Sequence, residues 1–122
     1  MLPEKTELTS GSLHWADEYP GAITICDHTG IITYMNRSSA ESFRNSGGFS
    51  LIGTNLLDCH PEPSRSKLKD MLEHPRNNIY TIEKRDIRKI IIQVPWFSED
   101  RFRGLIEISM AIPAEMAHFI RE

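Results

Sequence analysis

Hydrophobic and polar residues alternate at both ends of the chain and follow a helical spacing in the middle. Ile23 and Ile25 fall on one side of a run whose other side holds Thr24 and Cys26, which predicts a strand over 22–27. Asp27, His28, Thr29 and Gly30 place an acceptor side chain first and a permissive backbone fourth, the chemistry of a tight turn. The β-branched and aromatic run 31–35 returns as a second strand, and Asn36 then offers a side-chain oxygen to cap a helix over 37–43. A loop at Asn45, Ser46, Gly47 and Gly48 leads into 49–57, whose apolar residues keep no sustained period, so short irregular elements are expected. From Ser64, Leu68, Met71 and Leu72 fall at helical spacing between Pro63 and Pro75.

The last third reads as three strands. Residues 79–83 set Tyr80 and Ile82 against Thr81 and Glu83; 89–97 are rich in isoleucine; 105–112 place Ile106, Ile108, Met110 and Ile112 on one face. The short charged links 84–88 and 98–103 suit hairpins. Pro95 donates no ladder hydrogen bond, so it requires a bulge, a strand end or an unpaired edge. Two further helices are predicted: a short one over Leu13, Trp15, Ala16 and Tyr19, stopped by Pro20 and Gly21, and a last one over 113–122 carrying Met116, Phe119 and Ile120. Residues 1–12 are polar and turn-rich and read as a loose tail. Strands flanking helices imply an α+β domain with a five-stranded antiparallel sheet, its helices on one face and an apolar pocket between the layers.

The chain of 122 residues has room for one core. Its 39% hydrophobic content, raised further by seven glycines, places it among globular rather than disordered chains. A net charge of -3 argues against a nucleic-acid partner, and the basic run Lys84, Arg85, Arg88 and Lys89, broken by Asp86, reads as a solvated hairpin. Cys26 and Cys59 form no CxxC, which removes zinc ribbons, thioredoxin chemistry and c-type haem attachment and suits a reducing compartment. The first twenty residues carry Glu4, Glu7, Asp17 and Glu18 without an apolar run, and no later stretch approaches a membrane span, so a cytoplasmic protein without a membrane partner is expected.

The element order, with Gly21-Ala-Ile-Thr-Ile-Cys-Asp-His-Thr-Gly30-Ile-Ile-Thr-Tyr-Met-Asn36, resembles the PAS family, whose first hairpin commonly shows an Asp-x-x-Gly turn and a strand ending in Asn. Leu51-Ile-Gly-Thr-Asn-Leu-Leu-Asp-Cys-His60-Pro-Glu-Pro-Ser resembles the segment leading into the central PAS helices. Its Asp-Cys-His-Pro form is similar to modules of hemerythrin-fused bacterial sensors and small standalone PAS proteins. Trp96 to Ile112 resembles the terminal PAS hairpin, so the likeness spans residues 13–112. It implies a sensor that binds haem, flavin, a metabolite or nothing, dimerises through flanking helices and hands its response to a separate output protein. The fold does not choose among these. Flavin photosensors of the family carry Asn-Cys-Arg-Phe where Asn55 is here followed by Leu56 and Leu57, and photoactive yellow proteins attach their chromophore to a cysteine several residues later than Cys59, so neither photochemistry is expected.

Among single residues, His60 offers an imidazole that could ligate haem, against the plainer reading of a bond to a backbone carbonyl. Cys59 beside it invites a nucleophile reading, but neighbours in an extended segment point apart and no third group orients them, so no enzyme activity is expected. Glu107 lies opposite Ile106 and Ile108 with Leu105, Ser109 and Ala111, a face of mixed polarity that suggests cover by Trp15, Phe119 and Ile120 or by a second subunit. The expected pocket lining is Ile25, Tyr34, Phe43, Leu56, His60, Leu72, Ile82, Ile92, Ile106 and Ile108, with Tyr34 and His60 able to orient an unknown small molecule.

Overall fold

The computed structural model describes residues 14–122, so the expected tail over 1–12 and the role of Leu13 lie outside the described residues. Five strands form one antiparallel sheet in the order β2-β1-β5-β4-β3: β1 Ala22–Cys26, β2 Ile32–Met35, β3 Asn78–Lys84, β4 Ile87–Ser98 and β5 Arg101–Ala111. Between β2 and β3 run α1, Arg37–Ser42, three 3-10 turns, and α2, Ser64–Glu73. The α+β expectation therefore holds. No helix among the described residues is long and apolar enough to cross a membrane.

Local chemistry fixes the first hairpin. Asp27 Oδ1 accepts from the Thr29 backbone N–H at 2.9 Å, the Thr29 hydroxyl at 2.7 Å and the Ile31 backbone N–H at 3.0 Å, while Gly30 takes φ 93°. A Cβ at Gly30 would also lie 2.9 Å from Asn55 Oδ1, so the turn and its neighbour both demand glycine. Burial pushes the Asp27 carboxyl up, but the bonds from Thr29 and Ile31 outweigh it and leave the group below its usual value. A carboxylate with a lower pKa folded than unfolded stabilises the fold fully above the unfolded value of about 3.9 and loses that contribution as pH falls through the folded value. Asp27→Asn is accordingly expected to be less stable than the parent at pH 7, with the gap narrowing as pH falls below the unfolded carboxylate value, read from urea midpoints against pH.

The two long hairpins turn on two residues each, tighter than the charged links 84–88 and 98–103 implied. Arg85 and Asp86 join β3 to β4, Glu99 and Asp100 join β4 to β5, and all four have φ between 53° and 65°. These mirror-image turns match strand twist but cost non-glycine residues backbone strain. Asp100→Gly is expected to stabilise the chain by about 1 kcal/mol, seen as a higher thermal midpoint. Pro95 pairs with Leu105 on one side only, beyond the end of β3 and one residue before a register shift at Trp96/Phe97, as its missing N–H requires.

The helical layer defines the inner side of the sheet. Cys26, Ile32, Met35 and Leu105 meet Leu56, Leu68 and Met71 in the buried core, with Phe43, Leu51, Leu57, Leu72 and Phe102 packed around it. Thr24 faces α1 through a 2.5 Å hydroxyl contact with Ser39. Thr24 pairs with Glu107, and Glu107 with Gln93, so Leu105, Glu107 and Ser109 are the inner residues of β5. The isoleucine-rich side expected to enclose a pocket is therefore the outer side. Its cross-strand rows run Tyr34, Ile25, Ile106, Val94 and Ile23, Ile108, Ile92, Ile79.

Two terminal expectations fail. The N-terminal helix shrinks to a 3-10 turn, His14–Ala16, and no helix forms over 113–122, where Phe119 is 71% and Ile120 86% exposed. A ten-residue helix gains little unless its apolar stripe is buried, and Met116, Phe119 and Ile120 are all exposed. Trp15 is 63% exposed as well, so neither it nor Phe119 and Ile120 covers β5. The mixed face of β5 is the inner one and lies under the helical layer; on the outer side the segment before β1 reaches the sheet, the Tyr19 hydroxyl meeting Met110 Sδ at 3.6 Å and the Tyr34 hydroxyl donating to Asp17 Oδ1 at 2.7 Å.

Candidate functional site

A cavity of about 390 Å³ lies between α2 and the inner side of β3 and β4. Pro63, Ser64, Lys67 and Leu68 form its helical wall, and Asn78, Tyr80 and Gln93 its sheet wall. The helical wall stands where it does because Leu68 and Met71 anchor α2 in the core, which leaves Ser64 and Lys67 on the turn above the sheet.

The sheet wall is a hydrogen-bonded row across three strands. Asn78 Nδ2 donates to Gln93 Oε1 at 2.7 Å, and Gln93 Nε2 donates to Glu107 Oε2 at 2.7 Å. Gln93 is only 5% exposed, so the row holds a polar floor beneath an otherwise apolar layer. Burial first, and the Glu107 carboxylate second, push the Tyr80 phenol up, keeping it a neutral O–H donor. Leu68 and Pro63 supply apolar contact; Lys67 supplies a cation at the rim. Such a lining suits a small molecule with an apolar body and a hydrogen-bonding or acidic head.

None of the ten expected lining residues borders this cavity. Ile25, Tyr34, Ile92, Ile106 and Ile108 lie on the outer side, for the reason of register given above. Leu56 is core, Phe43 and Leu72 pack on that core, and Ile82 sits farther along β3, 40% exposed. Tyr34 spends its hydroxyl on Asp17, and burial followed by that bond raises its phenol strongly. The signal that would have pointed to the sheet side of this cavity is a polar residue at mid-strand in each of two neighbouring strands: Gln93 inside an isoleucine run, and Glu107, its register partner. Glu107 is thus paired, and on the inner side.

His60 and Cys59 come together more closely than an extended segment allows, because Leu56–Cys59 is a 3-10 turn. Both reach the same acceptor: His60 Nδ1 stands 2.8 Å from the Leu56 carbonyl oxygen, and Cys59 Sγ 3.2 Å from it. The two side chains are 3.6 Å apart, yet the imidazole nitrogen facing the sulfur is engaged by the carbonyl, and burial raises the Cys59 thiol rather than activating it. Burial likewise lifts Cys26 to about 11. Haem does not fit: His60 borders Phe43 at 6.3 Å between ring centres instead of the cavity, whose lining holds no histidine or cysteine. No cluster of three His, Cys, Asp or Glu able to hold a metal occurs among the described residues.

No protein-family profile and no curated protein sequence matches the chain. Solved structures do. A C-terminal domain from Streptococcus mutans superposes with a TM-score of 0.66 at 18% identity, over 82% of this chain and 81% of its own. The PAS domain of Bordetella pertussis BvgS gives 0.65 at 14% identity, over 88% of each chain. The PAS domain of the histidine kinase ThkA gives 0.60 at 18% identity, over 74% of this chain and 97% of its own. At these identities what is shared is the fold, and that fold is the one PAS domains adopt.

Proposed function

We propose, proceeding from its PAS fold, that the chain is a sensory input module that binds a small ligand in the cavity between α2 and β3–β4 and signals through contacts with other proteins. The observation that carries this reading is the row Asn78–Gln93–Glu107, a satisfied polar floor under an apolar wall. A core built only for stability gains more from apolar residues of the same shape than from such a row. Ligand contact with Ser64 or Lys67 would bear on α2, and contact with Gln93 on the β4–β5 pair, so occupancy favours one arrangement of helix and sheet over another. The response passes to an output element outside this domain. The PAS domains of BvgS and of the histidine kinase ThkA share the fold, which supports an input role.

A second reading, a ligand-free dimerisation scaffold, is favoured by the outer side of the sheet. Ile25, Ile106 and Val94, with Ile108 and Ile92, form a half-buried apolar surface there that a second copy would cover. A native mass spectrum of freshly purified protein separates the two. One small molecule per chain, lost in Ser64→Trp, which sets an indole into the cavity mouth, is the expected result. A dimer without ligand, combined with no thermal shift across a metabolite panel, would overturn the ligand reading and leave the scaffold.

A further inference from the structure

A second cleft, of about 630 Å³, opens at the other end of the molecule, between α1 and the β3–β4 hairpin. Four cations border it from different elements: Arg44 just after α1, Lys84 at the end of β3, Arg85 in the turn, and half-buried Lys89 on β4. Among the described residues Glu41 is the only acidic one in its lining. This local excess of positive charge sits on a chain whose net charge is -3.

Four arginines elsewhere on the surface are paired, Arg37 with Glu18, Arg65 with Asp58, Arg76 with Asp70, and Arg88 with Glu83, while Arg101, Arg103 and Arg121 do not line this cleft. Arg44, Lys84, Arg85 and Lys89 make no ion pair among the described residues. Of the two hairpin carboxylates, Glu83 beside Lys84 is engaged by Arg88, and Asp86 beside Arg85 does not line the cleft. Four like charges gathered around one concavity repel one another, and a multivalent anion removes that repulsion while gaining charge-assisted hydrogen bonds.

The geometry points to a binding site for a small molecule bearing two or more phosphate groups, distinct from the cavity under α2. Phosphate is the class that fits: guanidinium forks on Arg44 and Arg85 match its oxygens in pairs, and Lys84 and Lys89 add point charges from the sheet side. The volume is in the usual range for small-molecule sites. Residues that read in sequence as a solvated basic hairpin become a site because folding sets Arg44, some forty residues earlier in the chain, opposite them.

Tripolyphosphate titrated into the full chain by calorimetry at about 50 mM salt tests this directly, since screening is weak there. Saturable binding at one site per chain is expected, weakened at least about tenfold in the double variant Arg44→Ala/Lys89→Ala. The charge-keeping pair Arg44→Lys/Lys89→Arg should lose clearly less than the alanine pair, because it keeps both charges and gives up only the Arg44 fork. Lys69→Ala/Arg101→Ala removes the same charge elsewhere on the surface and should leave the affinity unchanged. Absence of saturable binding, or an equal loss in the Lys69/Arg101 control, overturns the site.

Discussion

Gly104→Ala is expected to destabilise the chain by about 3 kcal/mol or more, lowering its thermal midpoint by roughly 10 °C. Gly104 pairs with Trp96 beside the register shift of β4, at φ 157°, and its α-carbon runs against the end of β1. A Cβ there would land on the Cys26 carbonyl oxygen, far inside contact distance, with the Cys26 and Asp27 carbonyl carbons close behind. Backbone cannot swing aside as a flexible side chain can. The β1–β5 pair would have to separate, carrying core residues Cys26 and Leu105 with it. Gly53→Ala is the matched comparison, for Gly53 has φ 96° but nothing within 4 Å of an added Cβ. It should cost only the backbone strain, about 1–2 kcal/mol. Equal losses in the two variants, measured by urea denaturation, would refute the steric account.

The second large loss is expected at Asn36. This side chain is 1% exposed and makes four hydrogen bonds: Oδ1 accepts from Ile23 N at 2.9 Å and Ser39 N at 3.0 Å, and Nδ2 donates to the carbonyls of Ala16 at 2.9 Å and Gly21 at 2.8 Å. One amide therefore caps α1, holds β1 and ties down the segment before it. Asn36→Ala leaves buried backbone groups without partners, a loss of about 3 kcal/mol. Asn36→Asp keeps both acceptor bonds but turns an oxygen toward two carbonyls, so it should rescue little at pH 7. Recovery of parental stability in Asn36→Asp at pH 7 would show that capping alone matters.

Asn36 as a cap and Asp27 as a turn residue were legible because those bonds are local, whereas the bonds of Asn36 to Ile23, Gly21 and Ala16 were not. A cap acts three residues ahead and an Asx turn two to four, so type and spacing in the sequence announce both. Gly104 was not legible. Its requirement comes from a strand nearly eighty residues earlier, and no feature around it in the chain records that approach. The candidate site divides in the same way. The helix over Leu68 and Met71 and the strand containing Gln93 were readable as elements, while their meeting across a cavity was not.

The sequence by itself determined where strands, turns and the two helices lie, since alternation, caps and turn residues act over a few positions. Which side of each strand meets the helices was decided only by the tertiary structure. A period of two marks two faces, and here both carry apolar residues: Cys26 and Leu105 inward, Ile25, Ile106 and Ile108 outward. The richer isoleucine face looked like the core, yet register and the helical layer turned it outward and drew Thr24, Gln93 and Glu107 inside, where hydrogen bonds satisfy them.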